Sequence, residues 1–79
     1  MNSALTETRH LATLTKLDEL ELQLQGRFTG RVADFHVLPL GGGIVLRGFT
    51  RTYYLKQLAQ QAVMNLTDLP ILANEIEVY

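Results

Sequence analysis

The sequence predicts a small α+β fold in the order helix, strand, strand, helix, strand: two helices packed on one face of a three-stranded mixed sheet. Three observations predict it. Residues 41–63, GGGIVLRGFTRTYYLKQLAQQAV, run from a glycine turn through a short apolar stretch and a second glycine into an amphipathic pattern. Ile44–Leu46, fenced by Gly43 and Gly48, is too short for a helix and reads as a strand. Before it, Arg31–Leu40 alternates, and after the helical pattern Ile71–Val78 alternates again.

The first helix begins near Thr15 or Lys16 and ends before Gly26. Leu17, Leu20 and Leu24 make one apolar stripe, which Phe28 extends. Asp18, Glu19 and Glu21 in its first turns suit the helix dipole, and Gly26 is the expected C′ residue, with Arg27 at the negative end. Leu22 points off the stripe and calls for a cover from the N-terminal arm or a partner. Residues 1–14 read as that arm, because the Thr-rich run TETRHLATLT has poor helix propensity. Residues 15–79 form the domain.

In the first strand, Ala33, Phe35 and Val37 form the apolar face, opposite Val32, Asp34, His36 and Leu38. Pro39 ends the strand, because proline cannot donate to a ladder. Gly41–Gly43 supplies positive φ for a hairpin, and Ile44–Phe49 returns antiparallel. Ile44, Leu46 and Gly48 share one face; Val45, Arg47 and Phe49 share the other. Gly48 is read as the place where a helix crosses the sheet.

Thr50 or Thr52 caps the second helix, which starts at Arg51 or Tyr53 and reaches about Leu66. Leu55, Leu58, Ala59, Ala62, Val63 and Leu66 line its inner face, and the two alanines permit close approach to the sheet. Tyr53 and Tyr54 are expected to pack at the helix start. Asn65–Pro70 is a turn, and the last strand follows.

This layout resembles the BON domain, a bacterial module. Gly43-Ile44-Val45-Leu46-Arg47-Gly48 is similar to that family's strand signature, a helix of the right length follows over Tyr53–Met64, and Ala73-Asn74-Glu75-Ile76-Glu77-Val78 is similar to its final strand. The resemblance covers Leu17 to Val78. Where the family has a glycine-valine pair near the helix end, this chain has Leu69-Pro70-Ile71. The resemblance implies a binding module linked to membranes or phospholipid surfaces, often beside other domains, with no enzymatic activity.

At 79 residues, with 47% hydrophobic and 19% charged residues, the chain makes one folded domain. Its stability should be only about 5 kcal/mol, so association would help it. The absence of cysteine excludes disulfides and thiolate metal sites. Glu7, Arg9, His10 and Lys16 interrupt the N-terminal stretch, which therefore reads as neither a secretory signal nor a membrane span. The expectation is cytoplasmic residence for the chain as written, or periplasmic or envelope residence if an export signal has been trimmed.

Net charge is −1 but unevenly placed. Residues 27–56 hold five bases, Arg27, Arg31, Arg47, Arg51 and Lys56, against the single acid Asp34, while both flanks are acidic. Those five are the candidate contacts for an anionic surface. The candidate self-association face is Val32, Val45 and Phe49 on the open side of the sheet, among Asp34, His36, Arg47, Glu75 and Glu77. Charges of both signs there can pair across strands or across a symmetric dimer.

Catalytic chemistry finds no support. The only serine, Ser3, lies in the arm, and His10 and His36 have no neighbouring ligand cluster. Glu75 and Glu77 read as a solvated strand face. The Gly41–Gly43 turn joins two strands rather than opening a helix, and no lysine follows it, so it is not a phosphate loop. Asn65-Leu66-Thr67 fits a glycosylation triplet without a secretory context. Phe49 as the sole aromatic on the open face, in a slightly acidic chain, argues against nucleic acid. The reading is therefore a non-enzymatic interaction module without catalytic, metal or cofactor residues. It binds a protein or a second copy of itself, the alternative being peripheral binding to anionic phospholipid through the basic residues.

Overall fold

The computed structural model describes residues 16–79; the predicted arm 1–14 lies outside them. Helix α1 covers residues 16–27, strand β1 Val32–Leu40, β2 Gly43–Thr50, helix α2 Tyr53–Leu66 and β3 Ile71–Val78. The sheet order is β1-β2-β3, with β1 antiparallel and β3 parallel to β2. This is the expected α+β architecture with a mixed sheet. Both helices contribute to one core, in which Leu17, Leu20, Leu24 and Phe28 meet Val32, Phe35, Val37, Ile44, Leu46, Ile76, Ala59, Ala62 and Val63. Phe28 and Phe35 meet edge to face, their ring centroids 5.6 Å apart.

Helix α1 runs past its expected stop. Gly26 lies inside it, and the Phe28 N–H still donates to the Leu24 carbonyl at 3.0 Å. The left-handed residue that turns the chain is Gly30, with φ 77°. The carbonyl of Phe28 accepts from both Arg31 and Val32, which closes the turn into β1. Leu22 is 68% exposed.

The expected face of β1 is corrected by a bulge. Ala33 pairs with Phe49 and His36 with Arg47, so Asp34 and Phe35 together oppose Gly48. Asp34 takes φ 50° there. The extra residue resets the alternation, so Val32, Phe35 and Val37 point to the core while Ala33 is exposed. Val32, expected on the open face, is 5% exposed and part of the core. Gly48 accommodates this bulge rather than a helix. A Cβ built on it would lie 3.0 Å from the Ala33 carbonyl oxygen and 3.0 Å from Val32 Cγ1.

Pro39 does not end β1; it pairs with Ile44 inside the strand. Val37, two residues earlier, turns its N–H away from β2, so Pro39 occupies an outward position where no donor is missed. The hairpin turn is Gly41–Gly42 alone, with Gly41 at φ 57°. Gly43 belongs to β2, where a Cβ would sit 2.7 Å from Leu72 Cγ.

Helix α2 starts as its sequence dictates: the Thr52 hydroxyl accepts from the Leu55 N–H at 3.1 Å. Thr50 is instead buried, donating to the Arg31 carbonyl at 2.8 Å. Tyr53 and Tyr54, expected to pack, are exposed.

Candidate functional site

Polar side chains occupy both edges of the sheet. On β1, the Glu21 carboxylate accepts from the outward Val37 N–H at 2.9 Å, and Gln25 Nε2 donates to the Phe35 carbonyl at 2.8 Å. Helix α1 thus satisfies groups that a free edge would offer to another strand. On β3, the Tyr79 N–H donates to the Thr50 carbonyl, so Ile76, of opposite parity, turns its N–H outward. Asn74 Oδ1 accepts that N–H at 3.2 Å, while Asn74 Nδ2 donates to the Lys56 carbonyl and to Gln60 Oε1.

The face of the sheet turned away from the core is covered by no described element, and strand register arranges it in rows. Leu38, Val45 and Ala73 form the row nearest the hairpin, beside exposed Leu40 and Leu72. His36, Arg47 and Glu75 form the next, then Ala33, Phe49 and Glu77. Val45 is 7% exposed yet outside the core cluster, and Phe49 is 43% exposed. Of the three expected self-association residues, the open face therefore keeps Val45 and Phe49.

A shallow depression of about 340 Å³ is lined by Asp34, His36, Arg47, Gly48, Phe49, Glu75 and Glu77. Glu75 Oε1 takes both Arg47 Nη2, at 3.2 Å, and Arg47 Nε, at 3.3 Å. His36 leans the other way, its Nδ1 3.3 Å from Glu21. With Asp34 and Glu77 added, acids outnumber the single arginine and this part of the face is acidic.

The five expected anionic-surface contacts are divided. Arg47 sits mid-face, bound to Glu75. Arg27, Arg31 and Arg51 lie toward the far end, where α1 stops, β1 and α2 start, and β2 and β3 stop, whereas Lys56, whose carbonyl accepts from Asn74, lies beside the middle of β3. None of these four makes an ion pair among the described residues. Arg31 and Arg51 line one depression with Gly30, Ala33, Leu55 and Tyr79. Exposed Tyr53, Tyr54 and Tyr79 share that end, and the first turn of α2 carries no acid. Sequence reading did not see that Tyr79 belongs to this group; only the β3 register brings it there.

Among the described residues no helix is long and apolar enough to cross a membrane, and no cluster of His, Asp and Glu forms a metal site. Comparison with known proteins found no family model, no curated protein and no solved structure that matches this chain.

Proposed function

We propose that this domain is a non-enzymatic interaction module that docks a protein through the open face of its sheet. The observation that carries the reading is the contrast between edges and face. The edges are sealed at Val37, Phe35 and Ile76, while Leu38, Leu40, Leu72 and Phe49 stay exposed on a face no described element covers. The resemblance to the BON domain, carried by Gly43–Gly48 and Ala73–Val78, supports a binding role of this kind. The test immobilises the chain and its Leu38→Lys, Leu40→Lys form and offers both the same extract of its own cells. A protein held by the first and lost by the second supports the reading; equal retention, or none, refutes it.

A second reading, peripheral binding to anionic phospholipid, is favoured by Arg27, Arg31 and Arg51, which make no ion pair among the described residues, and by three exposed tyrosines at the same end. Vesicles of graded anionic lipid content test it. Binding should rise with anionic lipid, fall as salt rises, and vanish in Arg31→Glu plus Arg51→Glu. Binding that survives the double charge reversal rejects it.

A further inference from the structure

We propose that the surface around Phe49 is a two-fold interface between two copies of this chain, each copy setting Arg31 and Arg51 against Asp34 and Glu77 of the other. This rests on the open-face reading and names its partner. Val32, Thr50 and Val78 are paired across the sheet, and one residue beyond them come Arg31, Arg51 and Tyr79, with Arg31, Arg51 and Tyr79 around a single depression. One row toward the hairpin, Phe49 lies between Ala33 and Glu77, with Asp34 lining the same depression as Glu77. A basic strip and an acidic strip are thus adjacent, and the exposed Phe49 ring lies in the acidic one, beside Glu77.

A two-fold interface requires that one patch complement itself, residue i meeting j while j meets i. A uniformly acidic or uniformly basic patch cannot do this, because each copy would meet its own sign. Adjacent strips of opposite sign can. With the strands of the two copies antiparallel and the axis between the strips, basic meets acidic twice and the Phe49 rings come together beside the axis. Stacking the acidic depressions directly on one another would instead oppose Asp34, Glu75 and Glu77 to themselves, which charge repulsion forbids. The sealed edges direct association to this face rather than to strand addition.

The experiment is solution mass by light scattering and sedimentation, from about 1 μM to 1 mM, for the full chain, Arg51→Glu and Glu77→Arg. Both substituted positions are exposed, and circular dichroism verifies that each variant is folded. The wild type should dimerise, and more weakly as salt rises. Each variant alone should dissociate at least about tenfold more readily. An equimolar mixture should recover a 1:1 heterodimer, because each reversed charge then meets its complement. A monomeric wild type overturns the proposal, as does a dimer indifferent to both substitutions or variants that fail to pair on mixing. The open-face reading is decided separately by the Leu38→Lys, Leu40→Lys comparison, so failure of the dimer and failure of that reading are told apart.

Discussion

The Glu21 carboxylate and the Val37 backbone N–H are joined by a 2.9 Å hydrogen bond across 16 positions of sequence, helix to edge strand. The other carboxylate oxygen meets His36 Nδ1 at 3.3 Å, and one helical turn on, Gln25 repeats the device at the Phe35 carbonyl. A residue that reads in sequence as a helix-dipole acid therefore also serves as the edge guard of the sheet.

Glu21→Ala should cost about 1–3 kcal/mol, because it strands a partly buried backbone donor. Urea unfolding measures the loss, and amide exchange at Val37 should accelerate. The exposed Arg47–Glu75 pair is the contrast: Arg47→Ala should change stability by less than about 1 kcal/mol.

Gly43→Ala should destabilise by about 1–3 kcal/mol or more, since its Cβ would fall 2.5 Å from the Pro70 carbonyl oxygen as well as against Leu72. Gly42→Ala, with nothing within 4 Å, should stay within about 0.5 kcal/mol of wild type. Equal thermal midpoints for the two variants would contradict this assignment.

Asp34 holds φ 50°, a conformation that aspartate tolerates and β-branched residues resist. Asp34→Gly should leave stability unchanged or raise it by up to about 1 kcal/mol, whereas Asp34→Val should lower it by about 1–2 kcal/mol. Chemical denaturation of the two side by side decides the point.

Asn74 ties β3 to α2 with both ends of its carboxamide. Asn74→Asp removes the two donated hydrogen bonds and sets a carboxylate against the Lys56 carbonyl, so it should cost about 1–3 kcal/mol. Proteolysis of the β3 segment should quicken in step; a variant as resistant as wild type would assign the bonds no stabilising role.

What could be read from the chain follows from what is local. The Thr52 cap, the inner face of α2 at Leu58, Ala59, Ala62 and Val63, and the two faces of β2 depend on near neighbours and are as expected, whereas Leu66, expected on that inner face, is 39% exposed. The first strand was ambiguous in principle: Val32, Ala33, Phe35 and Val37 are all apolar, so two alternation phases fit, and only the pairing with β2 selects the bulged one. Gly26 and Pro39 misled as punctuation because their tertiary surroundings leave a helix and an edge strand free to continue through them. The union of Arg31, Arg51 and Tyr79 depends on a parallel register reached only after a whole helix, which no local pattern encodes.

Asp34 can also be counted as an insertion. Without it the chain would read Val32, Ala33, Phe35, His36, Val37, a regular alternation that keeps the same three side chains inside and sets Phe35 alone opposite Gly48. A chain shortened by this one codon would keep its core and lose one acid from its surface, and position 48 would no longer be reserved for glycine. Relatives of this domain should then come in two lengths, with glycine at 48 in the longer and a side chain admitted there in the shorter.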